Sequence, residues 1–370
     1  MSGTSIETQE PAGEDLLFER RGPLVVVTLN RPKALNALTH EMALALEMRL
    51  NRYAGDSNVR AILVRGAGHR AFCAGGDIRR LYDTGQAGES YPYDFYRDEY
   101  QLNACIHHYP KPYIAFIDGV CMGGGVGVSV HGSHRIVSER LVFAMPETGI
   151  GLFPDVGGSY FLSRLPGEIG MYMALTGARL SPADAVHVGV GDCLIDSGRE
   201  EALIAALSVA DYGADAAAAV DGVLADMAEE AGTSELAALQ APIDRCFGAG
   251  SLDEAIARLE AEGSEWAGKT LATMRTKSPT SMRIAFRQLR QGREMAFNDC
   301  MRMEFRIANG CIKGHDFYEG VRAVVIDKDQ APVWRPARLD DIGDADIDAY
   351  FSRTPADGDL DIPYGRNNGA

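Results

Sequence analysis

The chain has 370 residues, 46% of them hydrophobic and 24% charged, enough to bury a substantial core and typical of a globular protein. Its 36 lysines and arginines face 52 aspartates and glutamates; a formal net charge of -16 opposes nucleic-acid binding and leaves any anionic ligand dependent on local cations or oriented backbone N–H groups. No apolar run approaches the roughly 20 residues that cross a bilayer, and the seven scattered cysteines, without a C-x-x-C pair, read as reduced thiols.

Residues 1–15 are polar and acidic, with the composition of a disordered tail. They resemble neither a secretory nor a mitochondrial leader, so a cytoplasmic protein is expected. Order is expected from about Leu16. PLVVVTLN (Pro23 to Asn30) reads as a buried β-branched strand, and the helix after it is expected to be capped by Thr39, with Met42, Leu46 and Leu50 on an apolar face. VRAILVRGAG is a second strand, and HRAFCAGGDIRRLYD runs from strand through a glycine turn into a helix that Asp77 can cap. DFYRDEYQLNACIHHYP is an aromatic-rich helix closed by Pro110 and Pro112. PYIAFIDGVCMGGGVGVSVHG repeats strand, glycine turn and helix, and HRIVSERLVFAMPE adds two short strands. This recurrence predicts an α/β fold.

From about Arg199 the pattern becomes alanine-rich and helical, and it continues through SPTSMRIAFRQL, where Ser281 is the expected cap. From about Pro336 the chain is acidic and rich in Asp, Gly and Pro, and is expected to lie on the surface or to be disordered. The expected organisation is a tail over 1–15, a core over 16–200, a C-terminal helical region over 201–335 and an acidic tail over 336–370.

Two carboxylates stand out in FAMPETGIGLFPDVGG. Glu147 and Asp155 lie among apolar residues, glycine and proline: burial of Glu147 in such company would raise its pKa toward neutrality, and Asp155, between Pro154 and Val156, stands on a rigid turn. Glu147 also reads as a helix-start glutamate and Asp155 as a turn residue. AGGD (Ala74 to Asp77) and MGGG (Met122 to Gly125) are glycine turns between strand and helix. Facing each other, they can present N–H groups to one oxyanion; singly, each is as well explained by tight packing. No nucleotide-binding fingerprint and no G-x-S-x-G elbow is present. His107 and His108 read as surface residues, and His131 and His134 have no partner at metal-ligand spacing, so no metal is expected.

LNRPKALNALT, AFCAGGDI, GVCMGGGVGVSVHG and AMPETGIGLFPDVGG, in this order, together resemble the crotonase, or enoyl-CoA hydratase/isomerase, superfamily over about Leu16 to Trp334. DEYQLN, SPTSMRIAFRQL and HDFYEGVRAVVIDKDQAPVWRP are similar to its 3-hydroxyisobutyryl-CoA hydrolase branch. The resemblance implies a crotonase-like ββα spiral core with a C-terminal helical region, and an acyl-CoA substrate with no cofactor beyond the substrate's own coenzyme A. It implies an oxyanion hole at Gly76 and Gly124. Glu147 would attack the thioester or activate water, and Asp155 would position water or manage protons. Glu99 would meet the acyl hydroxyl, Lys33, Ala34 and Ala74 would border the CoA arm, and Lys328 is a weaker phosphate candidate. Hydratases carry a glutamate where this chain has Gly127 and a glycine where it has Asp155. The implied reaction is therefore hydrolysis of a short branched hydroxyacyl-CoA, 3-hydroxyisobutyryl-CoA, in valine catabolism. A hydratase or isomerase of the same superfamily and a non-catalytic binding subunit are the alternatives. The superfamily often forms trimers or hexamers, which makes a homo-oligomer an expectation.

Overall fold

The computed structural model describes residues 13–355 and 358–365; nine strands occur among them. In chain order they are β1 (Leu16–Arg21), β2 (Leu24–Leu29), β3 (Ala61–Gly66), β4 (Ala71–Cys73), β5 (Tyr113–Ile117), β6 (Val120–Met122), β7 (His134–Val137), β8 (Val142–Ala144) and β9 (Cys193–Leu194). One sheet has the order β1-β2-β3-β5-β7-β9 and is parallel apart from the β1–β2 hairpin. The other is parallel, in the order β4-β6-β8. Each successive pair, β3 with β4, β5 with β6 and β7 with β8, gives one strand to each sheet before the chain turns helical. That is the ββα spiral of the crotonase fold.

The apolar runs of the strands follow from burial on both faces of the large sheet. Val25, Val27, Ile62, Val64, Ala115 and Val137 enter the main core. Their alternates Leu24, Val26, Leu63, Ile114, Phe116 and Ile136 point the other way and meet Leu203, Ile204, Leu207 and Leu224. Those leucines belong to the helices Glu200–Val209 and Ala216–Met227, which cover the outer face. Further helices from Glu235 to Val321 pack about the main core.

The helix α1 (His40–Gly55) packs against α3 (Tyr91–His107), and α3, α2 (Ile78–Gln86) and the short α4 (Gly124–Gly127) each contribute to the wall of the site. Thr39 caps α1 by accepting the Met42 N–H at 3.2 Å, and Asp77 caps α2 by accepting that of Arg80 at 3.3 Å. The expected cap at Ser281 is displaced: Ser278 caps the helix Pro279–Gly292, accepting the Ser281 N–H at 3.1 Å. Pro279 sets φ for a first helical position and has no N–H to satisfy, so the helix begins before Ser281.

At the N-terminal end one expectation needs correction, and at the C-terminal end the expectation is narrowed to its first alternative. Gly13–Asp15 forms a short helix leading into β1, while residues 1–12 lie outside the described residues. The acidic C-terminal stretch is docked: the helix Asp344–Ser352 buries Ile347 and Phe351, and Leu360 and Ile362 are also buried. Asn298 Nδ2 donates to the Tyr364 carbonyl at 2.9 Å. Apolar residues spaced among the acidic ones anchor this segment.

Candidate active site

The three strands of the small sheet run parallel, and their C-terminal ends release the segments that form the site. Ala74 to Asp77 follows β4, Gly123 and Gly124 follow β6, and Met145 to Glu147 follows β8. Loops at this end of parallel strands commonly carry ligand sites. Gly75 (φ 118°) and Gly123 (φ 48°) adopt backbone conformations that side chains disfavour. The first turn is pinned to the preceding loop by Ala74 N–H to Leu35 O (3.0 Å) and Leu38 N–H to Gly75 O (2.8 Å). Among the described residues no backbone carbonyl takes up the N–H of Gly76 or of Gly124. The two groups are close: a Cβ built on Gly124 would stand 3.2 Å from the Gly76 nitrogen. Two adjacent free N–H groups of this kind suit one developing oxyanion.

They open on a cavity of about 660 Å³, lined among others by Ala74, Gly76, Gly124, Glu99, Glu147 and Asp155. The three carboxyl groups are 2%, 4% and 3% exposed in that order. Glu99 projects from α3, Glu147 opens the single turn Glu147–Ile150, and Asp155 stands on the turn beyond it. Glu99 Oε1 and Glu147 Oε2 have no hydrogen-bond partner, whereas Asp155 Oδ2 accepts from the Tyr100 hydroxyl at 2.8 Å. Burial, reinforced by Asp155, lifts Glu99 and Glu147 well above the usual carboxylate range. Burial also pushes Asp155 up to about 7, against the Tyr100 hydrogen bond that lowers it.

The Asp155 turn is held from three sides. Gln288 Nε2 donates to Pro154 O at 2.7 Å, and His131 Nε2 lies 2.7 Å from Val156 O. Burial pushes His131 down to about 3, so its ring is neutral and Nε2–H is the donor. Glu304 accepts the N–H groups of Gly157 (2.7 Å) and Ser159 (2.8 Å), together with the Ser159 hydroxyl. These bonds hold Val156 (φ 50°) and Gly157 (φ 84°) in the left-handed region, and so fix where Asp155 sits.

Several of these contributors lack a local signal in the sequence. Tyr96, Lys277 and Arg179 line the cavity, and Tyr100 and Glu304 act on the Asp155 turn. Lys277 reaches the cavity because Ser278 N–H bonds to Thr148 O at 3.0 Å, docking its turn beside Glu147. Burial lowers the Lys277 pKa while Glu147 favours its charged form. Lys33 and Ala34 are exposed on the turn Pro32–Ala34, beside the Leu35 that binds Ala74, and do not line the cavity. Lys328 is exposed on the loop whose Val325, Gln330 and Pro332 wall the mouth, but is not part of the wall. His107, expected at the surface, is half-buried and stacked on Phe297 at 3.9 Å between ring centroids. Gly127 is enclosed: a Cβ there would lie 2.6 Å from Asn103 Nδ2 and 2.9 Å from Val156 Cβ, so no glutamate fits.

Comparison with known proteins accords with this site. The enoyl-CoA hydratase/isomerase family model matches residues 24–351. The chain is 45% identical over 346 residues to 3-hydroxyisobutyryl-CoA hydrolase, mitochondrial, of Danio rerio, covering 92% of this chain and 90% of the relative. It is 42% identical to the protein of the same name in Homo sapiens, covering 92% and 89%. Two solved structures superpose closely. One, described as a carnitinyl-CoA dehydratase from Mycobacterium thermoresistibile, has TM-score 0.88 and 40% identity, covering 95% of this chain and 99% of that one. The other, described as an enoyl-CoA hydratase from Rhodobacter sphaeroides, has TM-score 0.86 and 37% identity, covering 94% and 100%. The mitochondrial names of the relatives overturn the expectation of a cytoplasmic protein. That expectation rested on the composition of residues 1–15 alone, and a targeting segment is only a compositional signal, apart from the residues that build the fold and the site. With its family match running from residue 24 to 351, over every segment that lines the cavity, the chain belongs to the enoyl-CoA hydratase/isomerase family.

Proposed function

We propose that this chain hydrolyses 3-hydroxyisobutyryl-CoA to 3-hydroxyisobutyrate and free CoA. One observation carries the reading: Glu147 and Asp155 are buried beside the free N–H groups of Gly76 and Gly124, while Gly127 leaves no room for a second, hydratase-type glutamate. The names of the curated relatives support the same reaction.

In this reading the thioester carbonyl oxygen accepts hydrogen bonds from the Gly76 and Gly124 N–H groups, which stabilise the charge that develops on it. Glu147 supplies the attack on the carbonyl carbon. Either its own carboxylate adds, giving a mixed anhydride that water then cleaves, or it takes the proton of a water that adds directly. The C–S bond breaks, CoA leaves as thiolate and one water is consumed per turnover. The Lys277 ammonium favours the ionised Glu147 that either route requires. Asp155, fixed by Tyr100, holds the water or accepts its proton. In the same reading Lys33, Ala34 and Ala74 border the CoA arm, and Lys328 is the weaker candidate for a phosphate.

The test is release of free thiol from 3-hydroxyisobutyryl-CoA. Glu147→Gln and Asp155→Asn are each expected to lower kcat on the order of 10²-fold or more. Wild-type turnover in Glu147→Gln would remove Glu147 from the chemistry. The descriptions of the two solved structures favour a second reading, water addition to an enoyl-CoA. Consumption of crotonyl-CoA without thiol release would establish that one instead.

A further inference from the structure

Tyr96 and Glu99 stand three residues apart on α3, one turn above the other on the same face. Both line the cavity and both are 2% exposed. The Tyr96 hydroxyl and Glu99 Oε1 are fully buried polar atoms without a hydrogen-bond partner. Such atoms are costly to keep, and a pair of them on one cavity wall marks a ligand that satisfies both. One is a donor and the other an acceptor. Tyr96 stays protonated throughout the neutral range, because burial and then Asp155 lift its ionisation well above the ordinary phenol value.

A hydroxyl group fits this pair, since it accepts one hydrogen bond and donates another. Position supports the match. A Cβ on Gly124 would lie 2.5 Å from Glu99 Oε1 and 3.2 Å from the Gly76 nitrogen, so Glu99 lies directly beside the two free N–H groups, with Tyr96 one turn before it on the same helix. A hydroxyl two carbons beyond a carbonyl held there lies within reach of it. The nearby wall of Leu81, Phe95 and Leu152 is apolar and offers that hydroxyl no competing partner.

We propose that Tyr96 is a specificity-determining residue, whose phenolic O–H donates to the 3-hydroxyl of the acyl chain while that hydroxyl donates to Glu99. The assignment rests on the hydrolase reading above and adds the group by which the site tells a hydroxyacyl ester from its deoxy analogue.

The experiment compares kcat/KM for 3-hydroxyisobutyryl-CoA and isobutyryl-CoA in wild type and Tyr96→Phe, with the thermal midpoint of each protein. The variant loses only an unpartnered buried hydroxyl, so its midpoint is expected at or above that of wild type. The preference for the hydroxy ester over the deoxy ester is expected to fall roughly 10-fold. Equilibrium binding of the two esters to Glu147→Gln and to Glu147→Gln with Tyr96→Phe reads the same ratio without turnover. An unchanged ratio beside normal wild-type hydrolysis overturns the Tyr96 assignment alone, and includes the case in which Tyr96 serves the carbonyl and both esters suffer alike. Wild type that releases no thiol from the hydroxy ester overturns the hydrolase reading and this assignment with it.

Discussion

At the scale of the residue, Asp155 ties stability to pH. Its carboxyl is pushed up to about 7 in the folded protein by burial, against roughly 3.9 in an unfolded chain. As pH rises from about 4, the unfolded state gives up its proton first and the folded state holds its own. Stability therefore falls across this window, and the loss is complete only above the folded value. Asp155→Asn removes that dependence. The thermal midpoint of the variant minus that of wild type is expected to grow from pH 5 to pH 8, while thiol release stays low; a gap that does not change with pH would show that Asp155 is not buried as an acid. Unpaired Glu99 and Glu147 add strain of the same sign. Carboxyl groups whose pKa values are raised by burial in a cleft are the kind that acid–base chemistry uses, as the proposed reaction does.

At the scale of the element, the segment from Pro154 to Ser159 shows how a short turn is made rigid. Val156 has no intrinsic preference for φ 50°, and the conformation persists because Gln288, His131 and Glu304 reach it from three separate parts of the chain. Glu304→Gln would turn an amide N–H₂ toward the N–H groups of Gly157 and Ser159 and leave one of them unpaired. That loss is expected to cost about 1–3 kcal/mol. Because the turn carries Asp155, kcat is also expected to drop, on the order of 10-fold, with KM closer to wild type. Urea melts and steady-state kinetics read both, and an unaltered kcat in a destabilised variant would reduce Glu304 to a structural role.

At the scale of the molecule, the two sheets divide the labour. The small sheet delivers three cavity-lining segments from adjacent strand ends, and the large sheet, dry on both faces, gives it a stiff base. The outer core around Leu203, Ile204 and Leu207 lies on the far face of that base. Leu207→Ala is expected to cost about 2–5 kcal/mol in urea unfolding, with kcat per folded molecule unchanged. A large fall in kcat would show that the outer helices are coupled to the site.

The sequence by itself determined whatever depends on neighbours a few residues away. The strand PLVVVTLN, the caps Thr39 and Asp77 and the glycine turns at Gly76 and Gly124 follow from periodicity, capping chemistry and the lack of a Cβ. Glu147 and Asp155 were legible because ionisable groups are rare in apolar runs, and the ordered motifs around them identified the family. The cap at Ser278 was missed although its signal is local, since Pro279 favours it over Ser281. Only the tertiary structure decided which distant groups meet those carboxylates. Tyr100 binds Asp155 across 55 residues of chain, and Glu304 binds Ser159 across 145. Tyr96 on an aromatic helix and Lys277 before a cap look ordinary in sequence, and become part of the site only because α3 and the Thr276–Ser278 turn are packed against it. Local propensity has a range of a few residues, whereas burial, which sets both the pKa values and the unpartnered atoms of this site, is a property of the packed whole.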